Sequence, residues 1–144
     1  MWRCNLNCSR IVVPTTSIAQ IASAQVSFLE DKPHVKGAIN SIVFLPWENT
    51  CFATAGTHSV MVWGENVEKK WKPEVLHKNF HTSAVMGVAG VQHKKIVLSV
   101  GQDRRILGYN AEEGKQDFMV QVDSKCLSIL PNPRDFNLFM VQTG

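Results

Sequence analysis

Three stretches of the chain carry the same order of apolar and polar positions: residues 39–56 (INSIVFLPWENTCFATAG), 85–101 (VMGVAGVQHKKIVLSVG) and 126–144 (CLSILPNPRDFNLFMVQTG). Each opens on an apolar or thiol position with another three residues on: Ile39 and Ile42, Val85 and Val88, Cys126 and Ile129. Turn signals follow at 46–49, 92–94 and 131–134, with Pro46 and Pro133 at matching places. The next runs, 51–55, 95–100 and 138–141, are rich in β-branched and large apolar residues, as strands are. A small polar position and a glycine close each stretch, and Gly56, Gly101 and Gly144 fall 45 and 43 positions apart.

Behind the first two glycines the pattern predicts a third strand, at 59–63 and 104–109, closed by Trp63 and Tyr109. Weaker fourth strands follow near 74–76 and 118–122. Four short strands recurring about every 45 residues match the blade of a β-propeller. A helical repeat would need sustained apolar spacing of three and four, which the turn-broken runs lack. The expected fold is therefore all-β, with antiparallel four-stranded blades at 37–80 and 81–122 and part of a third at 123–144. Residues 1–36 are ambiguous. Residues 10–16 suit a strand and 24–29 the outer strand of a preceding blade, while Ile18, Ile21 and Ala22 also suit a helical turn.

At His81, Ser99, Asp103 and Tyr109 in the second unit, and at Thr54 and Trp63 in the first, the chain resembles the WD-repeat family. The resemblance covers about residues 34–144. Several places depart from it. Thr57 stands where Asp is usual, His34 lies one place out of register, Gly90 replaces a large apolar residue, and no Trp-Asp dipeptide occurs. The family likeness implies that Asp103 orients His81 and that Ser99 and Tyr109 extend a buried hydrogen-bond chain, with Thr54 and Trp63 as counterparts. It also implies a scaffold that binds other proteins on the loops joining strand d to a and b to c. Those loops hold Lys36, Gly37, Thr57, His58, Thr82, Ser83, Gln102 and Arg104. Rings close with about 4 to 8 blades. Two units and part of a third leave the ring open, so the expectation is a piece of a longer propeller whose exposed blade edges favour self-association.

Composition narrows the alternatives. Of 144 residues, 44% are hydrophobic and 19% charged, enough to bury a core and too little charge for a disordered tail. The net charge of +3 is scattered in short pairs, too weak a field to point to nucleic acid or a membrane surface. No apolar run nears the roughly 18 residues of a membrane span. Without an export signal, Cys4, Cys8, Cys51 and Cys126 are expected as reduced thiols in the cytoplasm or nucleus. Cys4 and Cys8 lack a second ligand pair, His34, His58, His77, His81 and His93 show no metal spacing, and Gly87 to Gly90 form no phosphate cradle. No metal or other cofactor is expected.

His81, Ser99 and Asp103 could be set out as a hydrolase triad, which would need an exposed serine; the repeat explains them structurally instead. The reading is non-enzymatic. The alternative is a nucleic-acid-binding β domain using Lys69, Lys70, Lys72, Arg104 and Arg105 with Trp63, Trp71, Tyr109, Phe44 and Phe52 for stacking. Core packing is the expected role of these aromatic residues, with Trp71 between its lysines weighed as a partner anchor.

Overall fold

The computed structural model describes residues 9–12, 25–28, 34, 37–47, 51–68, 70–78 and 81–144. Its strands are β1 (Ser9–Val12), β2 (Gln25–Phe28), β3 (Ser41–Phe44), β4 (Cys51–Ala55), β5 (Ser59–Glu65), β6 (Trp71–Lys78), β7 (Val85–Val91), β8 (Ile96–Gly101), β9 (Arg105–Asn110), β10 (Lys115–Gln121), β11 (Cys126–Pro131) and β12 (Phe139–Thr143). Strands β3 to β6 form one antiparallel sheet in chain order and β7 to β10 another; β11 pairs with β12, and β1 with β2. The two complete blades and the partial third are thus present, and the ring is not closed. Below, strands a to d of blade 1 are β3 to β6, those of blade 2 are β7 to β10, and β11 and β12 are strands a and b of blade 3.

Local chemistry places the reversals. Asn66 accepts the backbone N–H groups of Glu68 and Lys70 on its Oδ1, and Asn110 accepts those of Glu112 and Glu113, so each c–d hairpin turns on an asparagine side chain. Asn132 does the same between β11 and β12 with the N–H of Arg134. The b–c turns differ. Gly56 donates to the Ser59 carbonyl across a two-residue turn, whereas the longer blade 2 turn returns the Arg104 N–H to the Gly101 carbonyl.

Side chains alternate across each sheet, so every blade has two faces. Val43, Leu45, Ala53, Ala55, Val60 and Val62 of blade 1 pack against Val88, Val97 and Ala111 of blade 2. The opposite face of blade 2, with Ala89, Val91, Ile96, Leu98, Val100 and Ile106, packs against Cys126, Ile129, Phe139 and Val141 of blade 3. Strand a of blade 2 is thinned on both sides to allow this. A Cβ on Gly90 would lie 2.6 Å from Pro46 Cδ and 3.0 Å from a Leu45 methyl, and one on Gly87 would lie 3.0 Å from the Ser128 backbone. The glycine at 90 that departs from the family pattern therefore makes room for the a–b turn of blade 1.

Two expectations need correction. Phe44, expected to pack in the core, is 73% exposed on the face of blade 1 turned away from blade 2. Trp71, by contrast, opens strand d half-buried against Met61 and Trp63, the packing role expected of it in preference to a partner anchor. The third unit is also shifted by one. Thr143 faces Cys126 as Gly101 faces Val85, and the Gly144 N–H meets the Lys125 carbonyl as the Gln102 N–H meets that of Ala84. Gly144 is thus the counterpart of Gln102, and the place of Thr54 and Ser99 falls to Val141. The longer proline-bearing turn at 131–138 hides this slip when glycines are aligned.

Candidate functional site

In blade 2 a buried chain of polar groups runs from strand b to the d–a loop and on into the b–c turn. Ser99 and His81 are both buried. The Ser99 hydroxyl lies 2.9 Å from His81 Nε2, and His81 Nδ1 lies 3.0 Å and 3.1 Å from the two Asp103 carboxylate oxygens. A carboxylate only accepts, so Nδ1 carries the proton and donates, leaving Nε2 to accept from Ser99. Asp103 also receives the backbone N–H groups of Thr82 at 2.9 Å and Arg105 at 3.3 Å. One side chain thereby fixes both the d–a loop and the b–c turn.

Blade 1 builds the same chain from different parts. Trp63 Nε1–H donates to Thr54 Oγ1 at 3.0 Å, and the Thr54 hydroxyl lies 2.8 Å from His34 Nε2. Because indole nitrogen only donates, the hydroxyl proton is left to serve His34. Counting residues put His34 one place out of register, yet its ring reaches the place of His81. Strict spacing missed it, although its position ahead of the Thr54 strand was the available signal. Thr57 stands in the turn of blade 1 where blade 2 has Asp103, so no side-chain carboxylate occupies that position.

Closing glycines make both chains possible. A Cβ on Gly101 would come within 2.9 Å of His81 Nδ1, Asp103 Oδ1 and the Ala84 carbonyl, and one on Gly56 would overlap the His34 ring. Burial pushes the imidazoles of both His34 and His81 below their ordinary value; for His81 the Asp103 carboxylate pulls the other way without prevailing. Both rings are held neutral.

The Ser–His–Asp order has the connectivity of a hydrolase triad, but Ser99 is fully buried, so its hydroxyl offers no face to a substrate. Tyr109 faces Val97 as Trp63 faces Phe52, and its ring lines a cleft of about 610 Å³ between blades 1 and 2 with Trp47, Val62, Leu76, Lys95 and Glu112. Among the described residues no group of His, Cys, Asp and Glu could hold a metal ion.

The loop residues are gathered on one end of the blades. Thr57, His58, Thr82 and Arg104 are exposed, Ser83 and Gln102 half-buried. Lys36 lies outside the described residues. The two turns are joined: the Val85 N–H donates to the Gly56 carbonyl at 3.0 Å, and the Asn40 side chain donates to the Val85 carbonyl at 2.9 Å. Arg104 takes φ of 65°, a left-handed conformation unusual for a residue with a Cβ. The basic residues expected for nucleic-acid contact are split. Lys70 and Lys72 lie by the c–d hairpin of blade 1, at the far end of the blades from Arg104 in a b–c turn, and Lys69 lies outside the described residues.

Comparison with known proteins gives fold and no family. No protein-family model matches the chain, and no curated protein does. Among solved structures, the β-propeller domain of Cps50 (Swd1) from Myceliophteria thermophila is similar over 75% of this chain, with a TM-score of 0.62 and 14% identity. The chain spans about a third of that domain, covering 33% of its length.

Proposed function

We propose that this chain is a non-catalytic scaffold that docks another protein on the end formed by its b–c turns and d–a loops. Thr57, His58, Thr82, Ser83, Gln102 and Arg104 form the docking surface. The observation that carries this reading is Asp103. Its carboxylate is spent on His81 and on the Thr82 and Arg105 backbone, so the neighbouring Gln102, Arg104 and Thr82 side chains are presented from a fixed frame. Arg104 strengthens the case: a strained backbone held by its surroundings is a common mark of a site that positions a contact. Loops on a rigid sheet scaffold are also where binding usually resides.

The test is a photo-crosslinking residue placed at Thr82, with Lys70 at the opposite end as control. The reading requires a crosslinked protein at Thr82 that Arg104→Glu removes, with melting temperature unchanged, and that Lys70→Glu leaves intact. Equal capture with Arg104→Glu, or capture from Lys70 alone, moves the surface elsewhere.

A further inference from the structure

The junction of blades 1 and 2 and the junction of blades 2 and 3 both lie inside the chain, and they are filled differently at one place. Phe118, on strand d of blade 2, stands opposite Gly108 and lies so close over it that a Cβ there has no room. It stacks on Phe139 of blade 3, ring centroids 6.4 Å apart and planes 13° from parallel. In blade 1 the place of Phe118 belongs to Glu74. Glu74 stands opposite Val62 as Phe118 stands opposite Gly108, and Val62 and Gly108 in turn face Ala53 and Leu98 on their strands b. The counterpart of Phe139 in blade 2 is Val97, two residues before Ser99 as Phe139 is two before Val141. An exposed carboxylate and a valine thus stand where the next junction holds a stacked aromatic pair.

The space left between them is the cleft of about 610 Å³, within the roughly 300 to 1,000 Å³ of sites that hold small ligands. Trp47 and Tyr109 bring rings to it; Glu65, Glu74 and Glu112 bring three carboxylates against the two ammonium groups of Lys72 and Lys95. A chain with a net charge of +3 therefore lines this cleft with an excess of acid. Lys95 is turned toward Glu112, 3.8 Å away, on a turn whose Lys94 and Lys95 are both left-handed and whose Lys95 carbonyl accepts the Ala111 N–H. Glu74 has no ion-pair partner among the described residues. The cleft is a trough open to solvent: where a Cβ would stand on Gly64 of blade 1 or Gly114 of blade 2, nothing lies within 4 Å. A peptide backbone has room to cross it with one side chain pointing in.

We propose that this cleft is a second docking site, at the end of the blades away from Thr82 and Arg104, and that it takes an arginine side chain from a segment of another protein. The guanidinium meets the Glu74 carboxylate and lies against the Tyr109 and Trp47 rings. Arginine suits that set because its planar head pairs with a carboxylate through two N–H groups and stacks on aromatic faces, while its aliphatic stem covers Val62 and Leu76. The bound arginine then does from outside what Phe118 does from within, filling the gap between two blades.

Titrating the ¹⁵N-labelled chain with the peptide acetyl-Gly-Gly-Arg-Gly-Gly-amide tests this through its amide and indole resonances. The expected result is saturable movement of the Gly64, Ala111 and Gly114 amides and of the Trp47 indole N–H, with Thr82 and Gln102 unmoved. The citrulline peptide, uncharged and of nearly the same shape, should bind about fivefold more weakly, and Glu74→Gln should weaken the arginine peptide by a similar factor. Glu74→Phe, which copies Phe118, abolishes binding with the melting temperature unchanged or raised. Gly64→Leu closes the same space from strand c and must abolish it too, whereas Arg104→Glu leaves the titration as it was. Unmoved cleft resonances, equal binding of the citrulline peptide or of acetyl-Gly-Gly-Glu-Gly-Gly-amide, or binding indifferent to both Glu74→Phe and Gly64→Leu would overturn the proposal.

Discussion

Asp103 and His81 meet edge to edge at 3.0 Å, with the carboxylate almost wholly buried and also holding two backbone N–H groups. Removing that carboxylate strands three donors at once. Asp103→Ala is expected to lower stability by about 1 to 3 kcal/mol, the usual cost of unpaired buried donors. Thr57→Ala, the same turn position in blade 1, is exposed and should change stability by no more than about 0.5 kcal/mol. Urea denaturation of both variants checks the contrast, and equal losses would remove Asp103 from its structural role.

Acid should weaken the fold. His34 and His81 both have folded pKa values below the ordinary 6.5, so the unfolded chain binds more protons between those lower values and about 6.5. Stability from the neutral rings is full above about 6.5 and is lost as the pH falls through the folded values. Urea midpoints measured at pH 7.5, 6.5 and 5.5 should fall in that order. His34→Gln should flatten the dependence, since it removes one of the two titrating rings; an unchanged slope in that variant would contradict the assignment.

Gly101 and Gly64 are both strand glycines with opposite surroundings. Added Cβ atoms meet three polar atoms within 2.9 Å at the first and nothing within 4 Å at the second. Gly101→Ala should cost about 1 to 3 kcal/mol through forced displacement of the His81 ring. Gly64→Ala should be neutral or slightly stabilising, because alanine loses less backbone freedom on folding. Thermal melts of the pair decide the point.

Arg104 offers a separation of stability from binding. Glycine adopts its left-handed backbone without the roughly 1 kcal/mol strain of a side-chain-bearing residue. Arg104→Gly should therefore melt at the same temperature or higher while losing capture of a partner crosslinked at Thr82. A lower melting temperature would mean that the arginine side chain supports the turn instead.

Much of this was legible in the sequence because blades are built from local hairpins whose turns and alternation leave marks at fixed intervals. Thr54, Ser99, Asp103 and their glycines were recoverable for that reason. The register of the third unit was not, because a hairpin can lengthen its turn and slip a strand by one while its closing glycine still aligns. His34 was hidden by a one-residue difference ahead of β3, since a ring on a loop needs to reach a place in space and not a place in the count. Phe44 read as core because alternation tells which residues share a face but not whether a neighbour covers it.

The two glycines on strand a of blade 2 have a consequence for how the molecule breathes. Gly87 and Gly90 let neighbouring chain segments close in from opposite sides, so β7 and β8 are sealed between sheets while blades 1 and 3 each leave one face to water. In a linear stack, a unit with two neighbours opens only after losing contacts on both sides, and outer units fray first. Amide hydrogens of 85–91 and 96–101 should consequently exchange slowest in the chain, with protection falling away toward β3 on one side and β12 on the other. Among the described strands, the one with the smallest side chains is then the one that opens last.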